Sequence, residues 1–335
     1  GPIDRWAEGS NAWSENRGEY YNVMVAAHAI GPADTILAHG KREIRTGVLY
    51  NRSHEIWQGG TGRLNHDWMW TTFGLKAAQI PCEVMIEEDL NPETLKRYQV
   101  IYAGGFNLER HHLLALRDWV QAGGLLVGHG GFAMRDTAND LMADTTELFG
   151  ASQRLPSGND TAPRESATFP ASPYFPEGTL KPVGPLVMLT PTTGQVVGTF
   201  EGGDPAAVTQ AVGKGRTILL ACQPGFTFRS NGAHRGYGRE WITKAPLAHL
   251  GRQRVEYEHS YSEVTLFEHE SGLAIMLNDF SHEELQPEYL LSVRPDRPVK
   301  EVRSALFGPL PWEVDGDRIK IRTKAPIPVD VIIIK

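Results

Sequence analysis

The sequence predicts an α/β domain built on a largely parallel sheet, followed by a small all-β sandwich. Two textures carry that prediction. From Ile44 onward, short apolar strands alternate with amphipathic stretches, which is the pattern of βα units. After residue 252 the helical period disappears, and apolar segments recur about every ten residues with turn residues between them. The length of 335 residues accommodates two such domains. Hydrophobic residues at 41% and charged residues at 22% exclude disordered, coiled-coil and collagen-like classes.

Residues 1–41 form a lead-in segment. Trp6, Trp13, Tyr20 and Tyr21 precede an apolar helical run from Val23 to Leu37, broken at Gly31-Pro32, which needs a surface to pack on. The α/β domain, residues 42–251, opens with a strand over Ile44–Tyr50. A loop rich in Gly, Trp and His (Asn51–His66) leads to a helix over about Trp68–Gln79, with Asp67 placed as its N-cap. Strand two is Cys82–Ile86. Asn91-Pro92-Glu93 then supplies an N-cap, an N1 proline and an early acid for a short helix ending near Tyr98. Strand three, Val100–Ala103, stops at Gly104-Gly105. Leu113, Leu116 and Val120 share one face of the next helix, Gly123-Gly124 ends it, and Leu125–Gly128 is strand four.

From about 156 to 212 Pro and Gly become frequent, and Gln195–Phe200, Ala206–Val212 and Thr217–Cys222 read as antiparallel strands, a β excursion interrupting the α/β domain. A helix over about Arg239–Leu250 closes it. In the sandwich domain, residues 252–335, strands are expected at Val255–His259, Val264–His269, Leu273–Asn278, Tyr289–Val293, Val302–Leu306, Ile319–Arg322 and Val329–Ile334. Asp315-Gly316 is a hairpin turn.

A formal charge of -7, from 33 basic and 40 acidic residues, is spread along the chain without a Lys/Arg cluster, so no nucleic-acid partner is expected. No apolar run approaches the length of a membrane-spanning helix. Cys82 and Cys222 form neither a metal-ligand spacing nor a disulfide framework, and they leave the compartment open. No cofactor is expected.

The segment VIYAGGFNLERHHLLALRDWVQAGGLLVGHGG (residues 100–131) resembles the core of class I glutamine amidotransferases, a Rossmann-like, flavodoxin-like fold. In that family the last strand turns through a G-x-C-x-G elbow that projects the nucleophilic thiol. Here the elbow reads Val127-Gly128-His129-Gly130-Gly131, so no cysteine stands in the nucleophile's place. Nor does a His-x-Glu pair follow a late strand. A resemblance over nearly the whole chain points to the region that follows the catalytic barrel in glycoside hydrolase family 42 β-galactosidases. It is carried by VLYNRSHEIWQ, AAQIPCEVMIEEDL, LRDWVQAGGLLVG, GDPAAVTQAVGKGRTILLACQPG and VDVIIIK in that order. It implies an inactive amidotransferase-like trimerisation domain plus a β-sandwich. It also implies a bacterial carbohydrate-active context, a homo-oligomer (a trimer) and a catalytic barrel as partner. No barrel precedes residue 42, and its two glutamates have no counterpart. Without carboxylates facing each other at roughly 5 to 9 Å, glycoside hydrolysis has no machinery.

A ligand site in such a domain belongs at the carboxyl edge of the sheet. The residues on offer there are Asn51, His54, Trp57, His66, Asp67, Trp70, Asn107 and His129. In the functional reading, Trp57 and Trp70 stack on a carbohydrate whose hydroxyls the polar groups bind, or His54, His66 and His129 gather a metal. The plainer reading makes Asp67 a cap and Trp68 and Trp70 core or interface, and it assigns no metal because no short-spaced His pair is present. His111 and His112 are expected on different sides of a helix, at the surface. His129, at the elbow, is the one candidate general base, with Asp67 or Glu87 nearby. Cys222 reads as a small buried hydrophobe.

Overall fold

Residues 44–253 form one unit, and residues 254–335 form a second together with the segment up to residue 43. The computed structural model describes residues 17–58, 67–155, 166–182, 186–230, 240–259, 262–279, 286–325 and 329–335. Trp6, Trp13 and the side chains of Tyr20 and Tyr21 lie outside that description.

The chain opens with α1 (Arg17–Ile30), a 3-10 turn at Gly31–Ala33, α2 (Asp34–His39) and the short strand β1 (Lys41–Arg42). The break between the helices falls at Gly31-Pro32, where the sequence places it. The α/β unit then runs β2 (Thr46–Tyr50), α3 (Arg52–Gln58), α4 (Asp67–Ala77), β3 (Cys82–Ile86), α5 (Pro92–Leu95), β4 (Val100–Ala103), α6 (Arg110–Ala122) and β5 (Leu125–Gly128). It continues with α7 (Ala143–Phe149), β6 (Ala151–Arg154), β7 (Ala167–Phe169), β8 (Gly178–Leu180), β9 (Met188–Pro191), β10 (Gln195–Phe200), β11 (Pro205–Val212) and β12 (Gly215–Leu220). It ends in α8 (Pro224–Ser230) and α9 (Glu240–Leu250).

Local chemistry accounts for several boundaries. The Asn91 side chain accepts the Thr94 N–H at 3.0 Å ahead of Pro92, so α5 starts there. Leu113, Leu116 and Val120 are the buried face of α6, which stops at Gly123 with φ +131°, a conformation that side chains other than glycine rarely adopt.

One nine-stranded sheet carries the unit in the order β3-β2-β4-β5-β12-β11-β10-β7-β8. Its first five members are parallel. Numbered along the chain these five lie in the order 2-1-3-4-5, which reverses between β2 and β4. The strands expected as an interruption are therefore continuous with the sheet. β12 pairs in parallel with β5, Arg216 opposite Leu125, and hands on antiparallel to β11 and β10. The reason is burial: β12 has two covered faces, so it belongs to the middle of a sheet. The core gathers Leu49, Ile101, Leu116, Leu126, Phe132, Phe149 and Leu219. The buried Tyr102 hydroxyl donates to the Ile242 carbonyl of α9.

The second unit comprises α1, α2 and β1 with β13 (Val255–Tyr257), β14 (Ser262–His269), β15 (Gly272–Asp279), β16 (Glu288–Val293), β17 (Val302–Ser304), β18 (Gly308–Pro309), β19 (Trp312–Asp315), β20 (Arg318–Lys324) and β21 (Val329–Ile334). A six-stranded sheet, β1-β14-β15-β21-β17-β18, and a four-stranded sheet, β13-β16-β20-β19, share one apolar cluster in which Ile275, Leu277 and Ile332 meet Leu291, Val293 and Ile321. The other face of the six-stranded sheet, with Ala274, Val331 and Ile333, packs on Ala29, Ala33 and Ile36. The segment expected to need a packing surface finds it here, and β21 is buried on both faces. Asp315 pairs with Arg318 around Gly316, forming the hairpin the Asp-Gly pair signals.

Ile332 is fully buried in β21. Ile332→Ala is expected to lower the unfolding free energy by about 2–5 kcal/mol, read from the midpoint and slope of urea unfolding.

Candidate functional site

The order reversal between β2 and β4 opens a crevice at the carboxyl ends of β2, β4 and β5. It is lined by Leu49, Tyr50, Asn51, His54, Glu55, Asp67, Trp68, Gly104, Gly105, His129 and Gln223. Its empty space, mouth included, is ≈ 340 Å³.

Asn51 builds the first wall. Its Oδ1 accepts the His54 N–H at 2.9 Å, three residues on, and its Nδ2 donates to the Gly104 carbonyl at 3.0 Å. It therefore caps α3 while tying it to the end of β4. Glu87 secures the same turn from behind, its two oxygens accepting the Ser53 N–H and hydroxyl at 2.7 Å each. Burial pushes the Glu87 carboxyl up, and the Ser53 bonds oppose that shift. Its partner is thus the α3 N-terminus, and the expected role beside His129 is corrected.

His54 is 4% exposed. Its Nδ1 accepts the Phe106 N–H at 3.1 Å, so the neutral ring carries its proton on Nε2, a buried atom with no partner among the described residues. Burial lowers its pKa to about 4. The ring can come this close only because Gly105, at φ +101°, lacks a Cβ, which would sit 2.8 Å from the His54 Cβ and 2.7 Å from the Asn51 Nδ2.

His129 forms the floor. Its backbone N–H donates to the Ala103 carbonyl at 2.8 Å and its ring is 2% exposed. Nδ1 lies 2.5 Å from the Asp67 Oδ2 in a close polar contact that lacks the in-line geometry of a hydrogen bond, and Nε2 has no partner among the described residues. The other Asp67 oxygen accepts the Phe226 N–H at 2.8 Å. Asp67 is therefore not the N-cap of α4. It is the first residue of that helix, and its carboxylate is turned inward to the N-terminal turn of α8, where buried amides need an acceptor. Gln223 locks the floor by donating to the Gly130 carbonyl at 2.8 Å.

The remaining candidates divide. Trp57 is exposed, and its indole N–H donates to the Thr137 carbonyl at 3.1 Å. Trp70 is covered by the Arg229 guanidinium, 4.5 Å from its ring centroid. Neither lines the crevice. Asn107 is buried and donates to the Asp136 carbonyl and the Asn139 side chain, holding the loop after β5. His66 lies outside the described residues, so the three-histidine grouping is not assembled among them. His111 and His112 do not diverge as expected. Their ring centroids lie 4.0 Å apart, tilted at 48°, and with Glu109 they place ligand atoms within 4.8 Å of one another at the start of α6. Cys222 is buried in an apolar recess with Phe169, Phe228 and Trp241, and burial pushes its thiol up to about 12.

Sequence reasoning overlooked Gln223, Glu55 and the Tyr50–Trp68 pair, which meets edge to face at 5.4 Å on the crevice wall. Position at the end of a strand marks Tyr50 and position after one marks Gln223; nothing local marks Trp68. Of the two carboxyl groups in the lining, Asp67 is committed to the α8 amide and His129. Among the described residues, no Lys or Arg lines the crevice.

No protein-family model matches the chain, and no curated protein does. Solved structures do. The β-galactosidase from Bacillus circulans sp. alkalophilus is similar at a TM-score of 0.69 and 13% identity, over 98% of this chain and 46% of its own. Gan42B, a glycoside hydrolase family 42 β-galactosidase from G. stearothermophilus, gives 0.63 at 14%, over 87% and 40%. The α-L-fucosidase isoenzyme 2 from Paenibacillus thiaminolyticus gives 0.66 at 14%, over 91% and 50%. The chain thus has the fold of a part of these proteins and spans half their length or less.

The depressed His54 pKa sets an acid limit. The unfolded chain binds this proton at its ordinary pKa of 6.5 and the folded chain only near 4. Stability from this group is therefore complete above pH 6.5 and falls as pH drops toward 4, by at most about 3 kcal/mol. Urea unfolding across that window should show the slope, and His54→Phe should flatten it.

Proposed function

We propose that this chain is the non-catalytic, amidotransferase-like and β-sandwich accessory region of a bacterial carbohydrate-active protein, serving to assemble subunits or to shape a neighbouring active site. The observation that carries the proposal is the match in fold to less than half of family 42 β-galactosidases, across two units with no barrel. The 2-1-3-4-5 strand order supports a flavodoxin-like first domain, and the apolar cluster shared by two sheets supports a sandwich as the second. At the elbow an imidazole stands where a thiol would have to be, and it is turned to a buried carboxylate. Exposed Val84 and Ile86 on the edge strand β3 are the kind of surface a subunit contact covers. Light scattering after size exclusion should report a homo-oligomer, by resemblance a trimer. A strictly monomeric mass, with no association with a family 42 barrel, would sink the assembly role.

A second reading rests on the Asp67–His129 pair, which has the arrangement of an orienting carboxylate and a general base whose Nε2 is unpartnered among the described residues. On this reading the crevice hydrolyses a carbohydrate or an amide. A screen of nitrophenyl glycosides and nitroanilide amides should then reveal an activity that His129→Ala reduces by about 100-fold or more. An activity untouched by that change would eliminate the idea.

A further inference from the structure

The crevice holds two imidazoles, each more than nine-tenths buried, whose Nε2 atoms have no partner among the described residues. Their needs are opposite. The His54 Nε2 carries a hydrogen, because Nδ1 is already an acceptor for the Phe106 N–H. The His129 Nδ1 lies 2.5 Å from a carboxylate oxygen, so in the neutral ring the hydrogen belongs on that side and Nε2 is an acceptor. A hydroxyl group is the simplest function that accepts from one and donates to the other. An apolar ligand would leave both nitrogens unpaired. A carboxylate or phosphate would meet the Asp67 and Glu55 carboxyl groups, with no Lys or Arg among the described lining residues to balance it.

We propose that the crevice binds a neutral hydroxylated small molecule, a monosaccharide or polyol, which seats one hydroxyl against His54 and His129 and lays its carbon face on the Tyr50–Trp68 wall. The enclosed depth is that of about one or two water molecules, so one hydroxyl or hydroxymethyl enters while the rest of the molecule stays at the mouth. The edge-to-face pair presents aromatic surface there. The proposal rests neither on the accessory role nor on catalysis.

The test is a titration of protein labelled with 15N at histidine, following the ring nitrogens. The neutral probes are D-galactose, D-glucose, D-mannose, L-fucose and glycerol, with acetate and phosphate as anions, each to about 50 mM, well above a millimolar dissociation constant. At least one neutral probe should shift the His54 and His129 Nε2 resonances saturably. His54→Phe should weaken that probe by about tenfold or more. Because a buried replacement can unfold the unit, Trp68→Leu at the half-buried wall supplies an independent arm, and it should weaken the same probe while leaving both imidazole resonances of the free protein in place. Resonances indifferent to every neutral probe would mean that the nitrogens hold water only, and would overturn the proposal. Tighter binding of acetate or phosphate than of every neutral probe would overturn it too, as would unchanged affinity in Trp68→Leu. A monomeric mass would remove the assembly role and leave this result standing.

Discussion

Asp67 is a carboxylate at 2% exposure, and a buried charge is tolerated only with partners on every side that water has left. Those partners come from two places in the chain far from its own helix, α4. The N-terminal turn of α8, far along the sequence, supplies the Phe226 amide, and the turn after β5 supplies His129. Gly225 is obligatory in that arrangement, since a Cβ there would lie 2.3 Å from the Asp67 carbonyl oxygen. The crevice geometry follows from this junction. It holds the imidazole at the floor and brings α8 against α4.

A comparable constraint organises the second unit. β21 is apolar at every position but Asp330, and a strand of that composition needs cover on both faces. One face meets the four-stranded sheet and the other meets α1 and α2. Asp330 is admitted because the Ser304 hydroxyl and the Val331 and Leu306 amides donate to it, while burial still holds its carboxyl above the usual range. The N-terminal helices are thus a layer of the second unit's core, although 210 residues of the other unit, 44 to 253, separate them from it in sequence.

The likeness to β-galactosidases and to a fucosidase is one of architecture at 11 to 15% identity. At that distance a fold persists because the parallel order, the double-sided burial of β12 and β21 and the glycines at close approaches are packing requirements. A site follows different rules. His54, His129 and Asp67 are polar groups in the interior, each with a cost that packing alone does not offset.

What the sequence determined by itself was local. The five parallel strands of the α/β unit with β10 and β11, the break at Gly31-Pro32, the Asn91 cap, the Asp315-Gly316 hairpin and the placing of His129 at a strand-ending turn all follow from periodicity and turn chemistry within a few residues, whereas the short strands β6 to β9 do not. Asn51, His54, Asp67 and His129 were legible as crevice residues because strand ends in a parallel sheet share one edge. Their roles were not. Asp67 looks like a cap for its own helix, since capping is the commonest use of an acid at that position, yet its acceptor is needed by α8. Trp57 and Trp70 look like stacking platforms, yet Thr137 and Arg229 engage them, while Trp68 takes the wall. The continuity of β12 with β5, the cover that α1 and α2 provide, and the approach of His129 to Asp67 all join segments far apart in the chain. Tertiary structure alone decided these, because burial and hydrogen-bond demand are settled by neighbours in space, and one chain read in order does not reveal which they are.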